Sequence, residues 1–157
     1  SSVAVVKFNP IDNANLNNIK QAVDAREYLP TIPPYIDIDE YIEKGGYKLF
    51  EKVINNETEK ERVLKELENS NLRGLGGAGF PAGKKWRILK EQSAPRLLAV
   101  NIDEGEPGTF KDRFYLESDP HRFFEGMLIA SEVVGIDKIY IYLRDEYAAV
   151  RDLMAVE

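Results

Sequence analysis

The sequence predicts an α/β fold in which a small helical segment precedes the start of a parallel sheet. Two apolar runs of strand length, at 96–102 and 138–143, are the first observation. The second is the clearly delimited helical pattern between them, because strand, helix, strand is the order that gives parallel strands. The third is a set of shorter helical patterns upstream, between residues 37 and 67.

Composition indicates a folded chain and excludes several classes of function. The 157 residues are 43% hydrophobic and 31% charged, enough for one domain with a core. The net charge is -6, with Lys and Arg spread among acids, so a nucleic-acid surface is not expected. No apolar run has membrane-spanning length, which predicts no direct membrane insertion and a cytoplasmic location. With no cysteine and one histidine, a metal or cluster site within these residues is also not expected.

Residues 1–35 are predicted to be an extended linker or strap. A short strand at Val3 to Phe8 precedes a polar stretch rich in Asn. Three prolines then lie between Leu29 and Tyr35, and they hold the chain extended and oppose helix.

Residues 36–71 are predicted to be helical. Two short helices are interrupted by Gly45 and Gly46, and a further helix covers Thr58 to Leu67. Val63 and Leu64 belong to the apolar stripe of this last helix.

Residues 72–157 are predicted to be the first half of the α/β domain. Its central helix has Asp119 as N-cap and Pro120 in the first turn, and Gly135 follows its end. The run from Tyr147 to Val156 begins another helix. His121 is interpreted as a surface or capping residue without a catalytic role.

The segment from Arg73 to Trp86 is rich in glycine. Its five glycines stand at positions 74, 76, 77, 79 and 83. Glycine lets backbone N–H groups approach a ligand, so this loop can cradle a phosphate with Lys84 or Lys85 adding charge. A nucleoside-triphosphatase loop is rejected because Lys85, not Ser or Thr, follows Gly-Lys, and no strand precedes the loop as a dinucleotide fingerprint requires. The alternative is a flexible turn.

An acidic turn, Asn101 to Arg113, follows the first strand of the sheet. Ligands of open α/β sheets bind at the carboxyl ends of strands, where this turn is expected. Asn101 and Asp103 can offer an amide and a carboxylate to a cofactor. The alternative is a solvated acidic loop paired with its own Lys and Arg side chains.

Together, the glycine-rich loop and the acidic turn resemble the two FMN-site motifs of the family of NADH-binding flavoprotein subunits. That family includes the large flavoprotein subunit of respiratory complex I, its counterparts in NAD-reducing hydrogenases and the beta subunit of NAD-dependent formate dehydrogenases. The resemblance covers about residues 36 to 157, and it continues through Asp119-Pro120-His121, Glu125-Gly126-Met127 and the stretch from Tyr140 to Tyr147.

This resemblance implies FMN and NAD as cofactors. It places Gly74, Gly76, Gly77 and Ala78 in the loop that approaches FMN. It implies that Lys85 contacts the phosphate or ribityl end, and that three residues of the acidic turn hold the flavin, namely Asn101, Asp103 and Glu104. Phe80 would stack on the adenine side of the dinucleotide, and Glu106 would contact the dinucleotide near the flavin.

Two aromatic roles remain open in the sequence. Ile88 stands where the family has a second aromatic, which weakens the expected adenine stacking. Phe80 and Phe110 could alternatively be core residues, and Trp86 is predicted to pack.

Within the family, the sequence is most similar to formate dehydrogenase beta subunits. The cues are Leu75, Ala82-Gly83-Lys84 and the stretch Val100 to Asp103. The complex I or hydrogenase counterpart is the alternative, and so is a non-catalytic docking fragment that binds no flavin.

The resemblance also implies that the chain is an N-terminal fragment, truncated within the flavin domain. Iron-sulfur clusters are expected only in sequence beyond these residues, and other subunits of a multi-subunit oxidoreductase are the expected partners. A half-built sheet leaves unpaired edges. The chain alone is therefore expected to associate with other copies or partners, or to hold FMN weakly.

Overall fold

The computed structural model describes residues 2–75 and 77–157. The chain divides into two compact units. The first unit comprises Ser1–Asp37, Asn101–Pro120 and Tyr142–Glu157, and the second comprises Ile38–Val100 and His121–Ile141. The predicted division at 1–35, 36–71 and 72–157 stays a prediction.

The N-terminal segment has more regular structure than a linker. Strands β1 (Val3–Val6) and β2 (Asn9–Asp12) form an antiparallel hairpin that pairs Val3 with Asp12 and Val6 with Asn9. Helix α1 (Leu16–Asp24) follows, with a capping box at Asn15. Sequence reasoning missed the second strand and the helix because Asn and Pro dominate there.

The helical segment forms as predicted. Helices α2 (Ile38–Glu43) and α3 (Lys48–Val53) flank the Gly-Gly interruption, and α4 (Glu57–Asn69) follows. At Gly46 a Cβ would lie 2.1 Å from two ring atoms of Tyr41, so glycine is required for this close approach.

A sheet of two strands begins the α/β part. Strand β3 (Leu97–Ile102) neighbours β4 (Lys138–Leu143). The Asp137 N–H donates to the Arg96 carbonyl at 2.8 Å, and the Arg144 N–H donates to the Ile102 carbonyl at 3.2 Å. Because both pairs advance along the chain in the same direction, the strands are parallel, which confirms the predicted fold class.

Four helices accompany these strands along the chain. Helix α7 (Pro120–Val134) has the predicted bounds, and Gly135 after it has φ +73°. The last helix, α8 (Ala148–Val156), also matches the prediction. Helices α5 (Ala82–Lys90) and α6 (Lys111–Ser118) were not predicted from the sequence.

The core of the second unit lies among α3, α4 and α7. Its buried residues are Val53, Leu64, Ile129 and Val133. Trp86 packs against them, as predicted. In the first unit α6 packs on α8, whose Ala148, Val150 and Leu153 are buried.

The interpretation of His121 as a surface or capping residue is wrong. Its side chain is fully buried, and its Nδ1 lies 2.8 Å from the hydroxyl of Tyr47. Tyr41 packs beside both rings, with centroid distances of 5.2 Å to Tyr47 and 5.7 Å to His121. Glu125 lies one helical turn after His121, and its carboxylate accepts a hydrogen bond of 2.6 Å from the Tyr41 hydroxyl. The histidine therefore anchors α7 to the Gly-Gly turn.

No helix in the described part of the chain is both long and apolar enough to cross a membrane.

Candidate functional site

The glycine-rich loop is closed at its base by backbone hydrogen bonds. Arg73 and Pro81 form an isolated antiparallel bridge, the Gly74 N–H donates to the Phe80 carbonyl at 3.0 Å, and the Arg73 guanidinium donates to the Gly79 carbonyl at 3.1 Å. Gly79 has φ +54°, a left-handed conformation that favours glycine. The base is therefore fixed by atoms of the loop itself.

The tip of the loop is open. Gly74, Gly77 and Ala78 are exposed, and a Cβ at Gly77 would meet no heavy atom within 4 Å. Phe80 is 45% exposed, so it is not a core residue. The predicted site residue Gly76 lies outside the described residues. The backbone of the described tip is thus accessible to a ligand.

Gly83 has a different function from the other loop glycines. It is buried, and a Cβ there would lie 2.5 Å from the backbone nitrogen of Glu68. Arg87, one turn later, donates to the Glu68 carboxylate at 2.7 Å and 2.9 Å, which lowers the pKa of that carboxyl. Gly83 and Arg87 therefore fix α5 against α4.

Helix α5 begins directly after the loop. Pro81 occupies the N-cap position without a side-chain cap, and the Ala82 N–H donates to the Leu72 carbonyl at 2.8 Å. Lys84 and Lys85 are exposed in the first turn, and neither ammonium has a carboxylate within 4.0 Å among the described residues. Backbone N–H groups and an unpaired cation together suit a phosphate group.

The acidic turn presents three exposed polar side chains at the end of β3. Asn101, Asp103 and Glu106 are exposed, and the Asn101 Oδ1 accepts a hydrogen bond of 2.9 Å from the Asp103 N–H. This local bond is an Asx turn, which fixes the chain direction after the strand. The amide nitrogen of Asn101 and the carboxylate of Asp103 can then face a ligand.

Glu104 is buried, with 4% of its surface exposed. Its carboxylate accepts hydrogen bonds from the N–H groups of Asp112 at 2.8 Å and Arg113 at 3.1 Å, in the first turn of α6. The Tyr147 hydroxyl donates a third bond of 3.2 Å. Both carboxylate oxygens thus accept hydrogen bonds within the protein. Two of these bonds come from the N–H groups at the start of α6, which have no partner within the helix.

Two opposing effects set the pKa of Glu104. Burial raises the pKa, but the hydrogen bonds from Asp112, Arg113 and Tyr147 lower it, and the net pKa lies below its ordinary value of 4.5. Burial and the bond to Glu104 in turn raise the pKa of the Tyr147 hydroxyl. Glu104 is therefore ionised at neutral pH.

Arg144 ties the end of β4 to the acidic turn. Its guanidinium donates to the backbone carbonyl of Glu104, and it also forms a bidentate pair with Glu146 at 2.8 Å and 2.9 Å. This pair lowers the pKa of Glu146 to about 2. Arg144 and Tyr147 were not named as site residues from the sequence. Their signal was the stretch from Tyr140 to Tyr147, which carries part of the family resemblance.

The loop belongs to the second unit and the acidic turn to the first. In the described part of the chain no group of three or more His, Cys, Asp and Glu side chains could hold a metal ion.

Comparison with known proteins decides the family. A model of the Nuo51 FMN-binding domain matches residues 67–156, more than half of the chain and both motifs. The chain belongs to the Nuo51 FMN-binding domain family. Sequence reasoning reached the same family from the loop and the turn.

Relatives within this family of FMN-binding domains cover most of the chain. The F subunit of NADH-quinone oxidoreductase from Aquifex aeolicus is 47% identical over 117 residues, which are 74% of this chain and 27% of that protein. The F 2 subunit of NADH-quinone oxidoreductase from Rhizobium meliloti is 45% identical over 104 residues, which are 66% of this chain and 24% of that protein. The chain thus spans about a quarter of the length of these curated relatives.

Solved structures extend the match to the N-terminal segment. NAD+-reducing [NiFe]-hydrogenase in the H2-reduced state aligns with a TM-score of 0.71 at 28% identity, covering 99% of this chain and 30% of that chain. The air-oxidised state of such an enzyme aligns with a TM-score of 0.70. The NAD+-reducing hydrogenase chain thus shares this mixed arrangement of helices and strands.

Proposed function

We propose that the chain is the FMN-binding part of an NAD(H)-dependent oxidoreductase subunit. When bound, FMN exchanges a hydride with a nicotinamide ring and releases the two electrons one at a time. The observation that carries this proposal is the family match over residues 67–156, which includes the open loop and the acidic turn.

The residues of both motifs fit such a ligand. Gly74, Gly77 and Ala78, together with Gly76, would let the loop backbone approach the FMN. Lys85 and the start of α5 would bind its phosphate. No side chain is required as a covalent catalyst, because the protein contributes binding, orientation and electrostatics.

The acidic turn would hold the flavin and the dinucleotide through its exposed side chains. Asn101 and Asp103 offer an amide and a carboxylate to the flavin, and Glu106 and Phe80 would contact the nicotinamide dinucleotide. Glu104 was predicted among the flavin residues. Because its oxygens accept three bonds from the protein, we assign it to positioning the turn rather than to direct contact.

A titration with NADH tests this function. The protein is loaded with FMN and mixed with NADH in the absence of oxygen, and the visible absorption of the flavin is followed. Bleaching at one NADH per FMN is expected. A chain that binds no FMN would support the docking alternative, in which these motifs only contact other subunits.

Electrons are proposed to pass to iron-sulfur clusters held outside these residues, because the chain contains no cysteine. The expected partners are therefore other subunits of a cytoplasmic multi-subunit oxidoreductase. The names of the relatives, subunits of NADH-quinone oxidoreductase and an NAD+-reducing hydrogenase, support this class of assembly.

The specific assembly is proposed to be an NAD-dependent formate dehydrogenase, on the basis of Leu75, Ala82-Gly83-Lys84 and the stretch Val100 to Asp103. The relatives described above instead favour the quinone oxidoreductase or hydrogenase counterpart. The assembly is purified with its partners and assayed for NAD+ reduction by formate and by hydrogen, and for NADH oxidation by quinone. Formate-dependent reduction alone is expected, whereas activity only with hydrogen or quinone would contradict the assignment.

A further inference from the structure

The second unit contains a groove of about 500 Å³ along helix α7. One side of the groove comes from α2, the Gly-Gly turn and α3, and the other side comes from residues 122–129 of α7. No described residue of the glycine-rich loop or of the acidic turn lines it. The groove therefore shares none of these residues with the motifs assigned to FMN.

Three exposed cationic side chains line the groove. Lys48 and Lys52 lie one turn apart on α3, and Arg122 belongs to the first turn of α7. Neither lysine ammonium has a carboxylate within 4.0 Å among the described residues. In a chain of net charge -6, three cations around one groove form a local positive patch.

Glu125 is the acidic residue of the lining, and its carboxylate already accepts hydrogen bonds. The Tyr41 hydroxyl donates to one oxygen at 2.6 Å, and the Phe50 N–H donates to the other at 3.5 Å. No ion pair joins this carboxylate to Lys48 or Lys52 in the described part of the chain. The two lysines are therefore available to an anionic group from outside the unit.

The rest of the groove is apolar and contains a notch. Leu49 is 39% exposed, and Ile129 joins the core beneath. Gly126 lies in the middle of α7, where glycine is unfavourable because it leaves the unfolded chain so free. At Gly46 the Tyr41 ring leaves no room for a Cβ, but a Cβ at Gly126 would meet no heavy atom within 4 Å. The notch at Gly126 thus indicates close approach by a group outside the chain.

We propose that this groove docks an acidic segment of another subunit. An apolar side chain of that segment enters the notch at Gly126, and flanking carboxylates pair with Lys48 and Lys52. Charge complementarity favours an acidic partner, and the apolar floor favours a polypeptide over a bare anion, because a polypeptide supplies both kinds of group. The inference rests on the proposed function only in taking the chain to be one subunit of an assembly.

Charge reversal tests the contribution of the lysines. Binding of the purified partner subunits to the FMN-loaded chain is measured by surface plasmon resonance at low and at high salt. Lys48→Glu/Lys52→Glu is expected to weaken binding by about 10- to 100-fold at low salt and by much less at high salt, where charges are screened. The matched control, Lys20→Glu/Lys65→Glu, changes two exposed lysines outside the groove and should leave the affinity within about 2-fold. Equal weakening by both double variants, or by neither, would overturn the proposal.

Gly126→Ala separates docking from folding. Alanine is favoured over glycine inside a helix and its Cβ meets no atom here, so the urea midpoint should stay the same or rise. The added methyl occupies the notch, so partner affinity should fall by about 5-fold or more. A variant that is stable and retains full affinity would overturn the proposal.

A cross-link identifies the segment that occupies the groove. Because the chain has no cysteine, Leu49→Cys can carry a single photoreactive group in the purified assembly. Cross-linking to a partner segment rich in Asp and Glu is expected, whereas a cross-link to a neutral or basic segment, or none, would overturn the assignment. FMN binding and bleaching by NADH should be normal in every variant. A wild-type chain that NADH does not bleach would instead overturn the proposed function.

Discussion

At the scale of single residues, Glu104 has a different position from its acidic neighbours. Asp103 and Glu106 are exposed, whereas Glu104 is buried and receives three hydrogen bonds. The sequence shows only a run of acids, and nothing in it separates the buried carboxylate from the exposed ones. The distinction arises because α6 begins at Lys111 and directs its first N–H groups at residue 104.

Glu104→Gln is expected to destabilise the protein. The amide keeps the shape but has one acceptor oxygen and no charge, so roughly 1.5–3 kcal/mol of unfolding free energy should be lost at neutral pH. Urea unfolding at pH 7 measures this, with Glu106→Gln as an exposed control that should change stability by less than about 0.5 kcal/mol.

The same variant should remove a pH dependence. Because the pKa of Glu104 is lowered in the folded state, its stabilisation is present above the ordinary value of 4.5 and is lost as the pH falls through the folded pKa. Wild type and Glu104→Gln should therefore approach each other in stability in acid. A constant difference between them from pH 7 to acid would contradict this account.

At the scale of elements, periodicity and caps predicted most of the fold. The bounds of α7 follow from Asp119, Pro120 and Gly135, and β4 was predicted residue for residue. Helix α6 was missed because its sequence shows no apolar stripe at helical spacing. Its two aromatic rings, Phe114 and Tyr115, are both exposed. Helix α5 was missed because its glycine at 83 reads as part of a loop until its packing against Glu68 is known.

Gly83 and Gly77 are expected to respond differently to the same substitution. Gly83→Ala places a Cβ 2.5 Å from the Glu68 backbone nitrogen, so the packing of α5 on α4 should lose about 1–3 kcal/mol. Gly77→Ala meets no atom within 4 Å, so unfolding free energy should stay within about 0.5 kcal/mol while FMN affinity falls. Urea unfolding and FMN titration separate the two effects. Equal destabilisation by both variants would refute the division of roles.

At the scale of the whole molecule, we propose that a chain of net charge -6 binds a phosphate-bearing ligand. Unpaired Lys85, together with N–H groups in the first turn of α5, would supply the local positive potential that this ligand needs. The family could be predicted from the two motifs alone. The hydrogen bonds from Arg144 and Tyr147 to Glu104 could not be predicted, because they depend on which strand end lies beside the acidic turn.

The central proposal is that FMN binding depends on Lys85 of the glycine-rich loop and on Asp103 of the acidic turn, and FMN titration of wild type, Lys85→Gln, Asp103→Asn and the double variant tests it most directly. Lys65→Gln and Asp145→Asn are exposed controls. Each site variant should weaken FMN by roughly 10- to 100-fold, as expected for lost charge-assisted hydrogen bonds, and the double variant by more than either. An FMN dissociation constant unchanged in either site variant, or equally weakened by the controls, would contradict the account.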